Sequence, residues 1–108
     1  MTLQERDKVR LLHILDAIET IEFFIGDGSR DEKTEVAVIH ELQIIGEAAR
    51  CLSDELKEKY NSIAWHEMVG MRHIIVHEYT NLEPSIIWNA VEYDIPRLKA
   101  DIEKIIKE

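Results

Sequence analysis

The sequence predicts an all-α protein, an antiparallel bundle of four helices with room for a short fifth. Three observations carry this. Apolar residues recur at steps of three and four over long stretches, the signature of amphipathic helix. Short segments rich in Gly, Pro, Asn and Ser separate those stretches. Ile, Leu, Glu and Lys dominate a composition with only 6% aromatic residues, which leans away from sheet.

The first helix is expected over roughly Leu3 to Ile25, with Val9, Leu12, Leu15, Ile18, Ile21 and Ile25 inward and Leu11 and Ile14 widening the stripe. "GDGSRD" ends it, with Gly26 as a cap and Gly28 in a turn. A second helix starts between Asp31 and Thr34 and runs to about Leu52. Its stripe is Val38, Leu42, Ile45, Ala49 and Leu52, broadened by Ile44 and Ala48. Ser53 is a natural N-cap for the short helix "DELKEKY", whose acidic start and basic end suit the macrodipole. A further helix spans Trp65 to His77 or Glu78. After the loop "YTNLEPS", the last helix runs from Pro84 to about Ile106, with Ile87, Val91, Ile95, Leu98, Ile102 and Ile105 inward. Pro96 removes a backbone donor inside it, so a kink is expected there, with strain at Asp94 and Ile95.

A length of 108 residues fits one domain. Cys51 stands alone, which excludes an intramolecular disulfide and fits a reducing cytosol. The opening "MTLQERDKVR" holds no apolar signal-peptide core, and no apolar run reaches the ~18 residues of a membrane span. A cytoplasmic protein is expected. The net charge of -9 disfavours sequence-independent binding to nucleic acid, which depends on Lys and Arg meeting phosphates. Any action on RNA must come from a local basic site working against the global field.

One stretch departs from ordinary amphipathic helix. In "MRHIIVHEYTN", residues 71 to 81, Arg72, His73, His77 and Tyr79 crowd among apolar neighbours. At about 100° per residue, His73 lies near 100° from Arg72 and His77 near 140°. Tyr79 returns to within about 20° if the helix persists that far. Each residue alone has an ordinary structural explanation, a hydrogen-bonded histidine or an arginine lying along apolar surface. Together they are costly to bury unless satisfied or functional. His73 and His77 have the four-residue spacing of a metal-binding pair, and His66 shares their stripe. No carboxylate or cysteine is placed to complete such a site, so no metal is expected.

Arg72, four residues, His77, one residue, Tyr79 forms the R-x4-H-x-Y pattern, and the chain resembles the HepT-like members of the HEPN domain family. "IIGEAARCLS" (44–53), "WHEMVGMRHIIVHEY" (65–79) and "WNAVEYDIPRL" (88–98) resemble the corresponding family segments in order, so the likeness runs through essentially the whole chain. The resemblance implies a helical bundle that forms a homodimer, bringing two R-x4-H segments together across a cleft. It implies the toxin of a toxin–antitoxin pair, an endoribonuclease that cuts an RNA substrate with neither metal nor other cofactor. Arg72 and His77 are then catalytic. The partner is a nucleotidyltransferase-fold (MntA-like) antitoxin that adenylylates the motif tyrosine, here Tyr79. Where the family very often has Asn after the arginine, this sequence has His73, which keeps a hydrogen-bonding group and adds a titratable one.

The resemblance also places Glu47 near the cleft, orienting Arg72, while Gly46 is read as permitting close helix packing. Trp65 and Trp88 read as core or interface anchors, since no exposed basic residues interleave with them in the manner of a base-stacking platform. Two other function classes stay open: a non-cutting helical partner that a nucleotidyltransferase modifies, and a structural interaction protein whose polar stretch is an interface network.

Overall fold

A computed structural model describes residues 3–108 and shows helices joined by short connections, with no strand among those residues. The helices are α1 (Glu5–Ile25), α2 (Glu32–Arg50), α3 (Asp54–Lys59), α4 (Trp65–His77), α5 (Pro84–Asn89) and α6 (Ile95–Lys107), with a 3₁₀ turn at Tyr79–Asn81. α2 is the hub. It packs along both α1 and α4 and touches α5, while α6 closes against α1. The helical-bundle expectation holds.

The caps explain several boundaries. Asp31 accepts the Thr34 N–H at 2.8 Å, and Ser53 Oγ accepts the Leu56 N–H at 3.1 Å. Each satisfies a donor that a helix start leaves without an intrahelical partner. Gly26 does occupy the cap of α1, though with helical dihedrals; the left-handed residue is Gly28, at φ 82°.

The core matches the expected stripes of α2 and of the C-terminal helices. Val38, Leu42, Ile45, Ala49 and Leu52 are buried, as are Ile87, Val91, Ile95, Leu98, Ile102 and Ile105. Ile44 instead lies at the surface of α2. α1 differs more. Its buried face is Asp7, Leu11, Ile14, Ala17, Ile18 and Ile21, whereas Val9 and Leu12 are exposed. The helix is rotated from the expected stripe, and a polar contact accounts for that choice. Buried Asp7 accepts from Ser53 N at 2.9 Å and from Ser53 Oγ at 2.7 Å, tying the start of α1 to the start of α3. A carboxylate is buried only where donors satisfy it, so Asp7 fixes the register of α1 against α3.

Pro96 follows a widened turn. Residues Ala90–Asp94 form a π-turn between α5 and α6, and the Ile95 N–H reaches back five residues to Ala90 O. Widening one turn ahead of the proline relieves the clash of its ring with the preceding turn. Asp94 (φ -81°, ψ -41°) and Ile95 (φ -63°, ψ -45°) are ordinary helical residues, so the expected strain is absent.

Candidate active site

The site is built where α4 crosses α2. A Cβ on Gly46 would collide with Arg72 Cβ and sit 2.7 Å from Met68 O. Only glycine lets the two backbones come this close. That approach lays the start of the Arg72 side chain against α2, one residue before Glu47. Trp65 holds the other end of α4 in place: it is buried, and its indole N–H donates to Tyr60 O at 3.2 Å. It serves as the expected core anchor.

Glu47 joins two arginines. Arg50 forks onto its carboxylate, with Nη2 donating to Oε1 at 2.7 Å and Nε to Oε2 at 3.2 Å. The Cys51 thiol also donates to Oε1, at 3.8 Å. Arg72 Nε lies 2.9 Å from Oε2 but makes no directed hydrogen bond, so this contact is one of charge. The Arg72 Nε is buried, while the side chain is 31% exposed and its terminal nitrogens have no hydrogen-bond partner among the described residues. The Arg50 hydrogen bond, with the charges of Arg50 and Arg72, holds the Glu47 carboxyl below the usual glutamate range, against the opposing effect of partial burial.

This shift has a definite sign. A carboxyl held low by the fold contributes stability that is complete above the ordinary glutamate pKa. That contribution disappears as pH falls through the depressed value. In a carbon-13 NMR titration, Glu47 is expected to titrate below the ordinary glutamate range. Arg50→Ala should move it upward by more than Arg72→Ala does. A Glu47 resonance that ignores Arg50 would contradict the arrangement.

His73 and His77 lie together, their ring centroids 4.4 Å apart and the planes tilted by 48°. Both are exposed, and His77 is the last residue of α4. Tyr79 lies just past the helix, where the loop is expected. Glu78 (φ -131°, ψ 31°) ends the helix, so Tyr79 falls in the 3₁₀ turn and does not continue the Arg72 face. It is 52% exposed. Arg72 makes no hydrogen bond to His77 or Tyr79. Within one chain the fold therefore forms two groupings, Arg72 with Glu47 and His73 with His77. No cluster of three or more His, Cys, Asp or Glu side chains suited to a metal occurs among the described residues.

The family model described as ribonuclease HepT-like matches residues 14–105. The chain belongs to the ribonuclease HepT-like family. A Methanocaldococcus jannaschii protein named "Gamma-glutamylcyclotransferase and putative RNase" is 41% identical over 106 residues, covering 94% of this chain and 48% of that protein. A "Putative RNase" of the same organism is 40% identical over 67 residues, 62% of each chain. "Probable ribonuclease HepT" of Thermococcus cleftensis is 39% identical over 99 residues, 87% of this chain and 90% of that protein. The chain thus spans about half the length of the first of these relatives. No solved structure matches it.

Two features of this HepT-like chain were not read from its sequence. Arg50 was passed over, although its place three residues after Glu47 on a helix is the spacing at which side chains meet. Trp88 was set aside as lacking a basic neighbour, yet the Arg30 guanidinium lies 4.7 Å from its ring centroid and its indole N–H donates to Glu35 at 3.2 Å. Arg30 is 58 positions away in sequence, and only the packing of α5 beside α2 brings it there. No helix among the described residues is long and apolar enough to cross a membrane.

Proposed function

We propose that this HepT-like chain is a metal-independent endoribonuclease, the toxin of a toxin–antitoxin pair, whose site is completed by α4 of a second copy. The observation that carries this reading is Arg72: an arginine whose Nε is buried beside Glu47 while its terminal nitrogens face outward with no partner. Such a group is a preorganised phosphate site, because the planar fork matches two phosphate oxygens and its placement costs nothing further at the moment of reaction.

His77 supplies the proton chemistry. It stands five residues beyond Arg72, about 140° around the helix and about 7.5 Å along it, so a single copy does not direct both groups at one point. A second copy facing α4 supplies the missing half. α4 suits such a role: of its thirteen residues only Trp65 and Ile75 are buried, and Val76 is exposed. One His77 takes the proton from a ribose 2′-hydroxyl as that oxygen attacks phosphorus. The other protonates the departing 5′-oxygen as the P–O5′ bond breaks. A neutral imidazole accepts a proton and a protonated one donates it, so the same residue type serves both roles. Arg72 stabilises the charge developing on the phosphate, and His73 beside His77 adds a further polar group to the cleft.

The acidic surface fits this reading. Paired arginines make a local positive cleft, while the remaining charge slows non-specific capture of RNA. Tyr79, exposed in its 3₁₀ turn, presents a phenol that a nucleotidyltransferase-fold antitoxin can adenylylate, placing an added phosphate beside the cleft and silencing it. The lone reduced cysteine accords with action in the cytosol.

The test is incubation of the purified protein with mixed RNA in excess EDTA, beside a His77→Ala variant with intact helical circular dichroism. The wild type is expected to cut, and the variant to cut at least about a hundredfold more slowly. If the folded wild type cuts nothing, the non-cutting reading replaces this one, and mass spectrometry for AMP on Tyr79 after incubation with ATP and the partner then tests that role.

A further inference from the structure

Glu47 faces two arginines but has directed bonds to only one. Arg50 occupies both oxygens, at 2.7 and 3.2 Å, whereas Arg72 Nε approaches Oε2 at 2.9 Å off the line of a hydrogen bond. An arginine–carboxylate pair is strongest when two N–H groups meet two oxygens in one plane. Released from Arg50, the Glu47 carboxylate has every reason to turn and form that pair with Arg72. It is 38% exposed and has room to rotate. Such a pair would engage the terminal nitrogens of Arg72, the ones now left unpartnered.

We propose that Arg50 is a positioning residue: by holding both oxygens of Glu47 in its own fork, it keeps that carboxylate from closing onto Arg72 and so leaves the Arg72 terminal nitrogens available to a phosphate. The phosphate part rests on the ribonuclease reading above. The competition between two arginines for one carboxylate does not. Arg50 acts here through Glu47 and without touching the substrate, which separates its role from that of a second phosphate ligand on the same helix.

Two measurements test this. The first needs no activity. Nitrogen-15 NMR of the arginine Nε–H groups should show the Arg72 proton exchanging more slowly in Arg50→Ala than in the wild type, because it gains a directed acceptor. Arg50→Lys keeps the charge but lacks the fork, and should move it in the same direction. An Arg72 Nε–H that is unchanged in both variants overturns the proposal. The second is a double-mutant cycle on RNA cleavage, with folding of each protein checked by circular dichroism. Arg50→Ala is expected to lower kcat/KM by about tenfold in the wild type, mainly through KM, and to have almost no effect once Glu47 is alanine. An equal loss in both backgrounds would show that Arg50 meets the RNA itself, and would overturn the proposal. A wild type that cuts no RNA overturns the ribonuclease reading instead, and the NMR measurement still decides the role of Arg50.

Discussion

Arg72→Ala is expected to lower the rate of RNA cleavage by roughly a hundredfold or more while leaving the fold almost untouched, the magnitude of losing one donor that stabilises transition-state charge. The separation of the two effects follows from the contacts. The part of Arg72 that packs against Gly46 is the Cβ, which alanine keeps. Glu47 loses a charge contact but retains the Arg50 fork, so no carboxylate is stranded. The Arg72 Nε, a buried donor without a directed acceptor, is itself removed, which relieves a cost. Thermal denaturation should therefore place Arg72→Ala within a few degrees of the wild type. Arg72→Lys keeps a positive charge but replaces the fork with a point charge, and should recover only part of the rate. A variant that cuts RNA at the wild-type rate would end Arg72's candidacy. One that melts far below the wild type would mean that the residue serves the fold.

Much of this was legible along the chain, and where it was not, the reason is physical. Hydrophobic periodicity located the long helices because each buries one face, and it located the inward residues of the C-terminal helices and, Ile44 apart, of α2. It misplaced the stripe of α1, whose flanks are also apolar. There the register is set by Asp7 and Ser53, 46 positions apart, a pairing that periodicity does not encode. The end of the helix at His77 or Glu78 is legible because the polar run "YTNLEPS" follows it, and Tyr79 accordingly stands in a turn. At Pro96 the expected backbone strain is missing for another reason: a proline dictates that a hydrogen bond be lost, but a π-turn upstream absorbs that loss. Glu47 and Arg72 sit 25 positions apart on different helices, and only the crossing of α2 and α4 brings them to 2.9 Å. Arg50 stands three residues after Glu47 on a helix, a spacing that allows the contact, while the fork onto both carboxylate oxygens is visible only in the distances.

Gly46→Ala should be among the most damaging single-methyl changes available to this protein, and the sign of its effect is informative. In the interior of a helix, replacing glycine by alanine ordinarily stabilises by about 1 kcal/mol. Here the added carbon would meet Arg72 Cβ and the Met68 carbonyl oxygen at 2.7 Å. Neither is the free end of a flexible side chain, so the clash can be relieved only by moving α4 away from α2. Among the described residues α4 has no other extensive packing partner. Overpacking of this kind costs about 1–3 kcal/mol, which outweighs the helix-propensity gain over most of that range. For a domain of this size each lost kcal/mol lowers Tm by about 4–8 °C. Gly70→Ala is the matched control, a glycine within α4 whose added Cβ meets nothing within 4 Å. It is expected to hold or raise the melting temperature. Gly46→Ala should also slow RNA cleavage by more than its loss of folded protein explains, because separating the helices carries Arg72 away from Glu47, and displacements near 1 Å can cost about a hundredfold. If Gly46→Ala and Gly70→Ala melt and cut alike, the close crossing of α2 and α4 does not set the position of Arg72, and the site must be held by something other than the backbone contact that glycine permits.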